Sequence, residues 1–147
     1  MKAITLQDNC PKNPTPWLSL VEYKVKTIET RKNWIYRSYR GDTLFTASAC
    51  SRTPNAGLAV CVANVVDIVP MTKAHEEEAC IQVFDNGWAL ILDDLRWLSR
   101  KFPVLGKLGV FEVDLPPDVT FFTPSAESFK PQQMPVYLRN FFLNSVP

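Results

Sequence analysis

The sequence predicts an α+β fold, a small mixed β-barrel of about six strands with two short helices. Three observations predict it. TLFTASAC (43–50) and LAVCVANVVDIV (58–69) are rich in β-branched residues and read as buried strands. Two Thr-led segments carry helix-start signals, at Thr15-Pro16 and at Thr72. Clusters of Pro, Asn, Asp and Gly separate these runs at short intervals.

In order, KAITL (2–6) reads as a strand, and the polar, proline-bearing QDNCPKNPT (7–15) as a loop. Thr15 offers a hydroxyl cap and Pro16 a first-turn residue. Trp17, Leu20 and Val21 then fall on one face of a short helix. TIETR (27–31) reads as a strand and Arg40-Gly41-Asp42 as a turn. Thr72 heads a second helix, with Glu76, Glu77 and Glu78 in early turns where the macrodipole favours negative charge. Asp85-Asn86-Gly87 is a turn, WALIL (88–92) a strand and FPVLG (102–106) a crossing loop. LGVFEVDL (108–115) alternates like a strand, with Val110, Glu112 and Asp114 on one face. Residues 116–147 hold six of the twelve prolines and six aromatics. They read as a Pro- and aromatic-rich C-terminal extension of a 1–115 domain, packed on that domain or on a protein partner.

Composition narrows the function. The 147 residues carry a formal net charge of +1, which predicts no strong global attraction to nucleic acid or to an anionic membrane. Any anion site must come from local clustering. Residues 22–41 supply one, with six Lys or Arg against two Glu. MKAITLQDNC has no apolar core of a signal peptide, and no run is long enough for a membrane span. A cytoplasmic protein without membrane contact is expected. The four cysteines, Cys10, Cys50, Cys61 and Cys80, form no Cys-x-x-Cys pair and read as reduced thiols. His75 stands alone beside three glutamates, so no metal site and no histidine-based triad is expected. Asp93-Asp94 reads as capping a turn. With five glycines and no phosphate-cradling loop, no nucleotide or other cofactor is expected.

Lys26-Thr27-Ile28-Glu29-Thr30-Arg31 resembles the signature of the ASCH family, Gly-x-Lys-x-x-Glu-x-Arg. Pro16-Trp17 ahead of the first helix, Tyr39-Arg40-Gly41 leading to Ala47-Ser48, Trp88 to Leu92, and Phe102-Pro103-Val104-Leu105-Gly106 follow in the family's order. The resemblance spans roughly residues 1–115. It departs from the pattern at Lys24, where the family has glycine, and at an apparent insertion between Gln7 and Pro16. It implies a PUA-like barrel with a cleft between the first helix and the sheet, lined by Lys26, Glu29 and Arg31. The function it implies is binding of RNA, single-stranded nucleic acid or a modified nucleoside.

The residues themselves add detail. On a regular strand Thr27, Glu29 and Arg31 share one side, and Lys26, Ile28 and Thr30 the other. With Ile28 facing the core, Lys26 either lies at the strand entrance or half-buries its stem with its ammonium in a polar cleft. Trp34, Tyr36 and Tyr39, interleaved with Arg31, Lys32, Arg37 and Arg40, have the composition of a single-strand groove, where bases stack and cations follow phosphates. The same aromatics could equally cover the barrel end. The candidate ligand-binding set is therefore Lys26, Thr27, Glu29, Arg31, Trp34, Arg40 and Ser48. The alternative is an enzyme, either an amidohydrolase of an acylated cytidine or a metal-independent ribonuclease, with Lys26 and Glu29 as its catalytic pair. The position at which, by resemblance, the amidohydrolases carry a nucleophilic threonine is Glu29 here, which speaks against that chemistry.

Overall fold

The computed structural model describes residues 1–145, with side chains as far as Phe142. Its elements are β1 (Lys2–Leu6), α1 (Trp17–Glu22), β2 (Ile28–Lys32), β3 (Gly41–Ala47), β4 (Leu58–Pro70), α2 (Glu76–Ala79), β5 (Gly87–Pro103), β6 (Phe111–Glu112), β7 (Phe121–Phe122) and α3 (Val136–Ser145). One mixed sheet runs β2-β5-β4-β3-β1-β6, with β7 added to β5. The single parallel pair, β1 with β3, requires a crossover, and α1 and β2 lie within it. The sheet curls into a half-barrel: its hydrogen-bonded path starts at β2 and ends at β6 without closing on itself.

Curvature is concentrated in the long β4–β5 pair. Its register shifts three times, between Ala59 and Cys61, Val62 and Asn64, and Val65 and Asp67. Bulges of this kind bend a strand and increase its twist. Asp93-Asp94 lies at such a site rather than capping a turn: Asp94 takes φ +52° inside β5 and the strand continues to Pro103. The sheet's concave side packs Ile4, Phe45, Val65 and Leu90 against Leu18 and Val21 of α1.

The structure revises several sequence expectations. Phe102-Pro103 completes β5 instead of starting a loop. Of the alternating 108–115 run only Phe111 and Glu112 pair, because β1 offers only Ala3 and Lys2 to them. Gly41-Asp42 opens β3 instead of forming a turn. The N-cap of α1 is Pro16, and the Thr15 hydroxyl makes no cap bond. The helix is capped from a distance by Asp8, whose carboxylate accepts the Ser19 N–H at 2.9 Å. Lys24, where the resembling motif has glycine, adopts the left-handed conformation (φ +60°) that such a glycine would supply.

The largest correction concerns the cysteines. Cys10 and Cys50 form a disulfide, which pins the 7–16 insertion to the turn after β3; Cys61 and Cys80 are free thiols. The C-terminal segment is ordered against the sheet. β7 pairs Phe121 and Phe122 with Leu98 and Trp97, and α3 seats Leu138 against Leu20 and Met134. Among the described residues no helix is long and apolar enough to cross a membrane.

Candidate functional site

A cleft of about 730 Å³ opens between β2, the β1–α1 insertion and the β5–β6 loop. Strand β2 delivers Glu29, Thr30, Arg31 and Lys32 to it, pairing antiparallel with β5 so that Arg31 stands opposite Trp88. Thr5 follows from β1, Gln7 from the insertion, Trp17 from α1, and Ser48 and Ala49 from just past the end of β3. Ile81 and Phe84 form an apolar wall. Leu105, Lys107 and Leu108 overhang the mouth, the two leucines 83% and 98% exposed.

Glu29 is the electrostatic centre of the site. It is buried, and both of its oxygens are engaged. Oε1 accepts the Thr30 N–H at 3.1 Å and lies 3.6 Å from the Lys26 ammonium. Oε2 accepts from Arg31 Nε at 3.1 Å and lies 3.0 Å from Nη2. Arg31 Nη2 also donates to the Thr5 carbonyl at 2.8 Å, which ties β2 to β1 across the cleft floor. An arginine held by a carboxylate oxygen and a backbone carbonyl is a fixed, preorganised group.

Lys26 is not on the cleft wall. It precedes β2, is 1% exposed, donates to the Ala79 carbonyl at 2.6 Å and sits 4.9 Å above the Trp17 ring. Burial holds its ammonium below the usual lysine range, opposed chiefly by the Glu29 charge. Of the two placements open from sequence, it therefore takes the position ahead of the strand, with its head as well as its stem buried. Its role in this geometry is to brace Glu29 and the end of α2.

Of the sequence candidates, Glu29, Arg31 and Ser48 line the cleft, and Lys26, Thr27, Trp34 and Arg40 do not. Thr27 turns to α2, where its Oγ1 donates to Glu78 at 3.2 Å. Trp34 is 6% exposed and packs in the core; its Nε1 has no hydrogen-bond partner among the described residues. Arg40 pairs with Asp67 on another face. The interleaved cations and aromatics mostly serve each other: Arg31 lies over Trp34 at 5.6 Å and Arg37 over Trp88 at 4.1 Å. Spacing along the chain could not distinguish this mutual stacking from a groove awaiting bases.

Sequence reasoning missed the loop tip Leu105-Gly106-Lys107-Leu108 and the wall residues Ile81 and Phe84. Leu108 stood inside the run read as a strand, which hid the tip. It also missed a buried polar hub behind α1. The Asp8 carboxylate accepts from the hydroxyls of Ser19 and Thr53, each at 2.7 Å, and Asn55 Nδ2 bridges Asp8 and Glu22. Lys101 closes the hub at 2.8 Å from Glu22, whose carboxyl is pushed above its ordinary range by burial. Among the described residues no cluster of His, Cys, Asp or Glu is arranged to hold a metal ion.

The architecture has a known counterpart. The crystal structure of ASCH from Zymomonas mobilis superimposes with a TM-score of 0.56, covering 77% of this chain and 87% of that one. This chain has the ASCH fold. At 13% identity the likeness carries the fold and not the chemistry. No protein-family model and no curated protein sequence matches the chain. Of the three residues that the sequence resemblance carried to a cleft, Glu29 and Arg31 line this one and Lys26 does not.

Proposed function

We propose that the cleft binds an unpaired stretch of RNA or other single-stranded nucleic acid, including a modified nucleotide, in the cytoplasm. The observation that carries this reading is the pairing of two exposed cations with an apolar wall in one cleft. Lys32 and Lys107 line it and make no ion pair among the described residues, while Trp17, Phe84 and Leu108 offer surface to a flat ring. Phosphates then meet the lysines and a base meets the apolar wall. Binding is favoured over hydrolysis because Glu29, the one acid among the described residues lining the cleft, is buried and fixed in place by the Thr30 N–H, Lys26 and Arg31.

The test is anisotropy of a fluorescein-labelled single-stranded RNA over a range of KCl concentrations. Two phosphate contacts predict a slope of about −1.4 in log K against log salt, and Lys32→Ala is expected to reduce it by about 0.7 without changing stability. No binding at about 50 mM salt, where phosphate contacts are strong, overturns the reading.

A further inference from the structure

We propose that Cys10–Cys50 is a thiol-exchange site whose opening loosens one lip of the cleft. The inference rests on the cleft being the binding site, and it concerns the site's regulation. The disulfide joins two segments that both line the cleft: Gln7 and Asn13 from the insertion, Ser48 and Ala49 from the end of β3. It thus ties two parts of the wall to each other from behind the lining.

The two sulfurs differ in access. Cys50 is exposed at the rim, with Ser48 Oγ 3.2 Å from its sulfur. Cys10 is buried, with Ser51 Oγ 3.9 Å from its sulfur. Arg52 donates to the Cys10 carbonyl at 3.3 Å and to Asn9 Oδ1 at 2.7 Å, which holds a guanidinium beside Cys10. Exchange depends on which sulfur can be reached and on how well the departing thiolate is stabilised. Access selects one direction. An incoming thiolate attacks Cys50 Sγ, the Sγ–Sγ bond breaks, and the electron pair leaves on Cys10 as a thiolate. The product is a mixed disulfide on Cys50. A second thiolate then attacks the incoming sulfur, releasing Cys50 as a thiolate and the reductant as its own disulfide; both cysteines take protons from water. The reductant is a low-molecular-weight or protein thiol. A disulfide in a thiol-rich compartment is more often sensing or catalytic than structural.

What opening releases is confined. Asp8 stays fixed by its bonds to Ser19, Thr53 and Asn55, and Asn9 by the Arg52 backbone N–H at 2.9 Å. The turn Pro11-Lys12 is closed by the two Cys10–Asn13 backbone hydrogen bonds and, around them, by the Asn9 N–H to the Thr15 carbonyl at 3.1 Å. Asn13 on the cleft lip is joined to the segment after β3 through Cys10 and its bond to Cys50.

The experiment uses the full chain in two states, air-oxidised and dithiothreitol-reduced, with far-UV circular dichroism to verify that both remain folded. Peptide mass mapping must find Cys10 linked to Cys50 in the first state; free thiols at both positions there overturn the proposal. Trypsin cleavage after Lys12 is expected to accelerate about tenfold on reduction, since local opening governs attack. Affinity for a labelled single-stranded oligouridylate is expected to fall about fivefold, through lost preorganisation. A Cys10→Ser/Cys50→Ser variant should behave as the reduced protein and ignore dithiothreitol. Unchanged cleavage overturns the proposal, as does accelerated cleavage with unchanged affinity. Should neither state bind RNA, the cleft reading fails, and the cleavage ratio alone decides whether the lip opens.

Discussion

Lys26 illustrates how one side chain can brace a cleft without lining it. Its ammonium, itself out of solvent, is held by the Ala79 carbonyl, the Glu29 carboxylate and the face of Trp17. Removing one partner of a buried pair costs more than the pair contributes, because the other charge is left behind. Here Arg31 still covers Glu29, which limits the damage. Lys26→Met is therefore expected to lose on the order of 3 kcal/mol of stability, read by urea unfolding, while the folded fraction keeps most of its affinity for RNA. A Lys26→Met protein as stable as the wild type, but unable to bind, would return Lys26 to the cleft wall.

At the scale of elements, legibility followed local order. β1, β2 and β4 stand where alternation and β-branching put them, since each is a short pattern read by its own neighbours. β5 extends well past WALIL because its interruption, Asp93-Asp94, is a bulge, and a bulge has the composition of a turn. The disulfide joins residues 40 apart and left no trace in spacing. The end of α1 tests how far an element tolerates a poor residue. Lys24 closes the helix in the left-handed conformation, donating its N–H to the Val21 carbonyl at 3.0 Å, with Val25 bonded back to Leu20 at 2.9 Å. A side chain in that conformation costs about 1 kcal/mol relative to glycine. Lys24→Gly is expected to raise stability by roughly 0.5 kcal/mol, the remainder being offset by the greater freedom of glycine in the unfolded chain. The wild-type side chain also places its ammonium 5.7 Å over Phe129, a contact the variant loses. A drop in melting temperature for Lys24→Gly would show that this contact outweighs the backbone.

Across the whole molecule, the C-terminal segment and the cleft meet at Trp17. The indole lines the cleft, supports Lys26 and borders the cluster in which Leu138 and Met134 cover Leu20. Tyr137 adds a 3.0 Å hydroxyl contact to Ser19 within the Asp8 hub, and burial pushes its own hydroxyl to a higher pKa. Trp97 is ringed by Tyr23, Phe122 and Phe129, two of them from beyond Leu115. The division expected at Leu115 can therefore be tested by cutting there. Val119, Met134 and Leu138 are buried, and each such group contributes about 1.5–3 kcal/mol on transfer from water before ordering entropy is subtracted. Truncation also uncovers Leu20 and one side of Trp97. A chain ending at Leu115 is expected to melt roughly 10 °C lower, for a net loss of a few kcal/mol in a domain of this size. Its exposed apolar surface should favour aggregation. Because Trp17 loses its support, RNA affinity should fall along with stability, measured well below the new melting temperature. A truncated chain that stays monomeric, melts like the full one and binds equally well would show that 1–115 stands alone. The tail would then be free to dock on a protein partner.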